Sequence, residues 1–296
     1  MTGMSEPIFG RVLSAMVTPF DVDGQVDLEA AAALAAHLVD EQGHDGLVLN
    51  GTTGEAPTTS DDEKRRLVEV VVGAVGDRAR VLTGVGTNDT AHSIRLAQEA
   101  AAAGAHGLLA VTPYYSRPPQ DAIVAHLRAV ADATDLPVML YDIPHRAGVP
   151  IETQTFLSLA EHPRIVAVKD AKGLPGVSAV VMAETGLQFY AGDDAMVLPL
   201  MSVGGVGVVG TSTQFTGART AEIIRAFLAG DLETALRGYR ELLPVYHGVF
   251  ATQGVMLVKA ALNARGRQVG HVRPPLLNAD ATETATFLAL LDAAGL

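Results

Sequence analysis

Ile165-Val-Ala-Val-Lys-Asp170 is a run of four apolar residues that ends abruptly in a lysine and an aspartate. The apolar part does not alternate with polar residues, so a strand formed here is covered on both faces, as in a parallel sheet. Seven similar runs recur, at 12–17, 46–49, 81–85, 107–111, 138–141, 187–190 and 207–210. Between them lie Ala- and Leu-rich amphipathic stretches at 27–41, 60–75, 89–103, 119–134, 151–161, 175–185 and 194–203. Several open with helix-start signals: Ser60-Asp-Asp-Glu63 is a capping box, Asn88-Asp-Thr90 supplies cap residues, and Pro118-Pro119 suits a first turn.

Strands alternating with helices imply a parallel sheet with right-handed crossovers. Eight units within about 210 residues fit a (β/α)₈ TIM barrel, whose usual span is about 250. The competing topology, an open doubly wound sheet, calls for a Gly-x-Gly-x-x-Gly turn after its first strand. This chain has Thr18-Pro-Phe20 there instead. From residue 217 onward the pattern is helical only, over 218–229, 232–264 with a break expected near Pro244, and 283–294. The expectation is an α/β chain with a barrel over 8–216 and a C-terminal all-helical extension over 217–296 packed on it.

Composition narrows the function. The 296 residues include 48% hydrophobic and 18% charged side chains, with no cysteine and a formal charge of −12. Mean hydropathy is +0.26 and the isoelectric point is near 5.1. This is a folded chain without a disulfide framework or thiol nucleophile, and it is ill suited to nucleic acid or anionic membranes. The opening decapeptide MTGMSEPIFG lacks the basic and apolar regions of a signal peptide, so a cytoplasmic protein is expected. No histidine spacing suggests a metal and no Walker loop suggests a nucleotide. Of 21 basic residues only four are lysines: Lys64, Lys169, Lys172 and Lys259.

In barrels of this kind the active site forms at the carboxyl ends of the strands. Residues falling there are Thr18-Pro19, Asn50-Gly-Thr-Thr-Gly-Glu55, Thr112-Pro-Tyr-Tyr115, Tyr141-Asp-Ile-Pro-His-Arg146, Lys169-Asp170, Ala191-Gly-Asp-Asp194 and Gly210-Thr211. Lys169 is the sharpest of them. Its position puts the amine inside the mouth, where burial disfavours the charged form and frees a neutral amine to attack a carbonyl. The alternative is a structural lysine paired with Asp170 or another barrel carboxylate. Lys64, Lys172 and Lys259 read as surface, loop and helix residues. Schiff-base chemistry needs a proton shuttle, for which Tyr141 is placed, relayed by Thr52, Thr53 and Tyr114 or Tyr115. Arg146 offers a fork for a carboxylate, unless it serves a surface ion pair. Gly204-Gly205-Val-Gly207 has two readings, a phosphate site or glycines that relieve crowding where strands close, and Asp193-Asp194, a pair that could bind a cation, is explained more simply as a helix cap.

Five of these stretches occur in register: Gly51-Thr-Thr-Gly-Glu55, Val111-Thr-Pro-Tyr-Tyr115, Tyr141-Asp-Ile-Pro-His-Arg146, Val168-Lys-Asp170 and Ala191-Gly-Asp-Asp194. Through them the chain resembles the dihydrodipicolinate synthase / N-acetylneuraminate lyase family of class I aldolase-type barrels, from about residue 10 through the C-terminal helices. The resemblance implies that Lys169 forms a Schiff base with pyruvate and that Tyr141 is the general acid/base. Thr52 and Tyr115 would complete its proton relay, Tyr115 reaching across a dimer interface. Thr53 would hold the pyruvate carboxylate, Arg146 would meet the carboxylate of aspartate semialdehyde, and Gly192 and Val209 would line the pocket through backbone groups. No cofactor is implied, and the assembly implied is a homotetramer, a dimer of dimers, working in lysine (diaminopimelate) biosynthesis.

Other members are 2-keto-3-deoxy sugar-acid aldolases and N-acetylneuraminate lyases; Thr52-Thr53 and Arg146 favour the condensing enzymes. Two stretches depart from the commonest pattern, Thr252-Gln-Gly-Val-Met-Leu-Val-Lys259 and Gly210-Thr-Ser-Thr-Gln214. Where lysine-inhibited members bind their inhibitor, this chain has Ala56, Lys64 and His92, which implies weak or absent inhibition. A silent barrel acting as a binding protein is the reading from another class; Lys169, Tyr141 and Thr52 together count against it.

Overall fold

The computed structural model describes residues 6–296; residues 1–5 of the opening decapeptide lie outside the described residues. Eight strands run in parallel: β1 (Val12–Ala15), β2 (Gly46–Leu49), β3 (Arg80–Gly84), β4 (Gly107–Val111), β5 (Val138–Asp142), β6 (Ile165–Asp170), β7 (Gln188–Ala191) and β8 (Gly207–Gly210). They pair in chain order and close when β8 returns to β1 in the register Leu13↔Val209 and Ser14↔Gly210. The TIM barrel expected from the apolar runs is the observed fold.

Outside the barrel lie α1 (Leu28–Asp40), α2 (Asp61–Val75), α3 (Thr90–Ala102), α4 (Gln120–Asp132), α5 (Pro144–Ala147), α6 (Thr153–Ala160), α7 (Pro175–Glu184), α8 (Val197–Met201) and α9 (Thr213–Leu228). The chain finishes with α10 (Leu232–Gly248), α11 (Gly254–Ala264) and α12 (Ala281–Ala293). No helix among the described residues is long and apolar enough to cross a membrane.

The strands are almost wholly buried because they are sandwiched between two apolar layers. One layer fills the barrel, with Leu13, Val48, Leu82, Leu109, Met139 and Ala167 among its members. The other lies between the strands and the surrounding helices. Side chains alternate between these layers, so Ala167 inside the barrel puts Lys169 inside as well. The expected caps form. Ser60 and Glu63 cap α2 reciprocally, and the Asp89 carboxylate accepts the Ala91 N–H at 2.9 Å at the start of α3.

Two expectations are corrected and one choice between readings is settled. Pro244 does not break the helix: α10 runs through it to Gly248, and the interruption comes at 249–253. Proline deprives only the Arg240 carbonyl of its partner, and Arg240 is exposed, where water can replace the bond. The last crossover helix starts at Thr213, not 218, and continues unbroken across residue 216. Its first turn is masked in sequence by buried polar residues; Gln214, for example, donates to the Ala15 carbonyl at 3.1 Å. Finally, Gly204-Gly205-Val-Gly207 lies at the amino end of β8, opposite the mouth. A Cβ on Gly207 would sit 2.1 Å from the Arg11 carbonyl oxygen, so the glycine relieves crowding where the barrel closes.

Candidate active site

β5 and β6 pair so that Tyr141 stands directly across from Lys169. The register therefore places phenol and amine side by side at the mouth, with Lys169 Nζ 4.5 Å from the centre of the Tyr141 ring. Lys169 is only 5% exposed. Burial pulls its pKa down to about 8; the Asp194 carboxylate works against this and the Arg146 guanidinium with it. The neutral amine is therefore far more accessible near pH 7 than for a lysine in water. The Tyr141 phenol is pushed up to about 12 by burial, with Arg146 and a hydrogen bond from Thr52 opposing the rise. Held protonated, it can donate to an oxygen leaving the lysine-bound carbon and take the proton back.

The alternative pairing of Lys169 with Asp170 is absent. Asp170 accepts from the Ser178 hydroxyl and from the Lys172 N–H at 2.9 Å. Lys169 has no ion-pair or hydrogen-bond partner among the described residues. Asp194, read from sequence as a cap, is instead fully buried beneath the mouth. It accepts from the N–H groups of Thr211 (2.9 Å) and Ser212 (3.0 Å) and from the Ser212 hydroxyl (2.6 Å), while Asp193 caps the turn at 194–196. Burial raises its pKa. Asp194 thus sets the loop after β8 and supplies the distant negative charge that moderates the desolvation of Lys169.

The loop after β2 brings Thr52 and Thr53. The Thr52 hydroxyl reaches Tyr141, and Thr53 Oγ1 lies 3.4 Å from Thr211 Oγ1. Asn50 and Glu55, at the two ends of the loop, both adopt left-handed backbone (φ 53° and 56°). Such conformations cost about 1 kcal/mol or more each and persist only where the surroundings enforce them.

Two adjoining cavities, of about 370 and 400 Å³, open at this mouth and share Thr52, Tyr141, Ile143 and Arg146 as walls. The first contains Lys169, Thr53 and Gly192; its far wall, Tyr246, His247, Phe250 and Gln253, comes from the helical tail. Sequence reasoning missed that wall, because nothing local marks those residues. The second contains Lys64, His92 and Tyr114.

Arg146, on α5, is exposed and makes no ion pair among the described residues. It is free to meet a carboxylate at the entrance. A Cβ on Gly192 would lie 3.0 Å from Ala171 Cβ and 3.1 Å from Lys169 Cγ, so a larger residue here would press on the lysine stem. Val209 is fully buried in the layer inside the barrel and does not line the cavity, whereas Thr211, two residues on, does. Tyr115 is 89% exposed with φ 71°, apart from both cavities within one copy of the chain.

The other lysines are not bland. Lys64 Nζ donates to the Thr59 carbonyl, and burial lowers its pKa. Lys172 bridges to buried Asp142 at 2.8 Å. Lys259, 2% exposed, contacts Glu55 Oε1 at 2.7 Å, donates to the His271 carbonyl at 2.8 Å and lies 4.0 Å above the Phe20 ring. Their scarcity was the only signal in the sequence. Among the described residues no three His, Asp or Glu side chains gather as a metal site.

A parallel eight-stranded barrel with a desolvated, unpaired lysine beside a tyrosine at its mouth defines a Schiff-base-forming lyase of the class I aldolase type. The chain belongs to the dihydrodipicolinate synthetase family, whose model matches residues 8–294. It is 60% identical to the 4-hydroxy-tetrahydrodipicolinate synthase of Cutibacterium acnes, over 98% of this chain and 99% of that one. It is 58% identical to the enzyme of the same name from Acidothermus cellulolyticus, over 99% and 95%. Among solved structures, dihydrodipicolinate synthase from Cyanidioschyzon merolae, with lysine bound, matches with TM-score 0.95 and 40% identity, covering 97% of this chain and 99% of that one.

Proposed function

We infer that this chain condenses pyruvate with aspartate semialdehyde, the 4-hydroxy-tetrahydrodipicolinate synthase reaction of lysine biosynthesis. The observation that carries it is the unpaired Lys169 amine, desolvated inside the mouth and directly across from Tyr141.

Neutral Lys169 attacks the keto carbon of pyruvate. Tyr141 protonates the carbinolamine oxygen, water leaves, and an imine remains. Loss of a methyl proton converts the imine into an enamine, whose carbon attacks the aldehyde. The amino group of the semialdehyde then closes on the imine carbon and displaces Lys169 as the free amine. Each proton passes through Tyr141 and Thr52. Thr53 holds the pyruvate carboxylate, Gly192 and Thr211 line the pocket, and Arg146 receives the semialdehyde carboxylate.

Tyr115 completes the relay from a neighbouring subunit of a homotetramer built as a dimer of dimers. Its exposure within one chain, with a left-handed backbone that holds the loop out, supports this. The enzyme works in the cytoplasm without a cofactor. Its barrel, completed by α9, carries the chemistry, and the helical tail that follows α9 walls the second side of the mouth.

The test is turnover of pyruvate with aspartate semialdehyde beside cleavage of a 2-keto-3-deoxy sugar acid and of N-acetylneuraminate. Condensation is expected to exceed either cleavage by orders of magnitude. Efficient cleavage with negligible condensation would assign a different aldehyde.

A further inference from the structure

The loop that carries Thr52 and Thr53 is strained at both ends, and the two ends are held differently. At Asn50 the side chain donates to Thr83 Oγ1 at 2.8 Å and to the Lys64 carbonyl at 3.3 Å, partners from within the barrel and its crossovers. At Glu55 the anchor comes from the far end of the chain. The carboxylate, 3% exposed, takes Lys259 at one oxygen (2.7 Å) and the Arg273 N–H at the other (2.8 Å).

The surroundings fix both partners. Lys259 is also spent on the His271 carbonyl and the Phe20 ring. The Arg273 guanidinium donates to the Gly24 and Thr58 carbonyls and to Glu63. None of Glu55, Lys259 and Arg273 lines the cavity that holds Lys169. A buried ion pair is a poor stabiliser, because desolvation offsets most of the attraction, and apolar replacements are often neutral. What the ion pair and the Arg273 N–H bond do together is positional: they hold a non-glycine residue in left-handed backbone one peptide beyond Gly54, whose carbonyl is pinned by the Thr18 hydroxyl at 2.7 Å.

We propose that Glu55 and Lys259, locked from Arg273, are positioning residues that set the Thr52–Thr53 backbone for proton transfer at the Lys169 imine. The helical tail thereby acts on the relay through an internal strut. The proposal rests on the reading of Thr52 as the relay partner of Tyr141.

The test is a mutant cycle on the full chain, with kcat, melting temperature and borohydride trapping of pyruvate measured for each variant. Glu55→Gln/Lys259→Met removes both charges at nearly constant volume. It is expected to melt within a few degrees of wild type, to trap pyruvate on Lys169, and to lose about tenfold or more in kcat. Because the loss runs through Thr52, the same pair of changes is expected to cost less than about twofold when made on Thr52→Val.

An unchanged kcat in the folded pair variant would overturn the proposal, as would losses that multiply undiminished with Thr52→Val. Should the pair variant not fold, Glu55→Gln/Lys259→Gln, which keeps an acceptor for the Arg273 N–H and a donor for the His271 carbonyl without leaving a lone buried charge, carries the same cycle. Failure of wild type to trap pyruvate is a separate result: it would strike the Schiff-base reading, and this proposal with it.

Discussion

Lys169 and Lys259 are both buried lysines whose pKa is lowered by loss of water, yet only one is placed to react. Lys259 fills its desolvated site with partners: Glu55, the His271 carbonyl and the Phe20 ring. Lys169 has an aromatic neighbour, a cavity and a carboxylate kept at a distance by its bonds to Thr211 and Ser212. Burial alone therefore does not make a nucleophile. The amine must also be left without acceptors and opened to a space where a carbonyl can arrive.

The largest expected effect separates the two amines outright. Lys169→Ala is expected to abolish condensation, by about a thousandfold or more, while circular dichroism shows an intact fold. Condensation persisting in that variant would move the chemistry elsewhere. Next, Tyr141→Phe removes the proton donor and is expected to lower kcat about a hundredfold or more, with pyruvate still trapped. Arg146→Ala is expected to raise the KM for the semialdehyde about tenfold or more, leaving that for pyruvate within about threefold, as read from steady-state kinetics.

The pH dependence sharpens the comparison further. Imine formation needs neutral Lys169, so kcat/KM for pyruvate is expected to rise with pH and level off above about 8. The sign for stability follows from the same shift. The folded pKa lies below the unfolded value of 10.5, so the unfolded chain binds more protons between about 8 and 10.5 and stability rises with pH across that window. Lys169→Met is therefore expected to melt a few degrees higher than wild type at pH 7, with the gap closing as pH approaches 10.5. The smallest effect is expected at the second cavity. With the Lys64 ammonium and an Asp61–His92 pair at its wall, millimolar L-lysine should leave the rate nearly unchanged. Inhibition at sub-millimolar lysine would contradict this.

The barrel was legible because each strand is buried on two sides and so spells a continuous apolar run, and because the capping box of α2 is local. Lys169 was legible for a related reason: a lysine ending such a run has its amine placed by the strand's own alternation. The Glu55–Lys259 strut was not, since its members lie some two hundred residues apart in the chain and only the packed tail joins them. Buried Thr213, Gln214 and Thr216 hid the first turn of α9, because polar side chains that bond to strand backbone break the apolar period.

The most direct test treats the protein with pyruvate and borohydride, digests it, and compares the peptides containing Lys169 and Lys259 by mass. One reduced pyruvate on the Lys169 peptide, none on the Lys259 peptide, and full labelling at pH 8 is the expected result. Label on Lys259, or on neither, would contradict the claim that an unpaired amine at the barrel mouth is the reacting group.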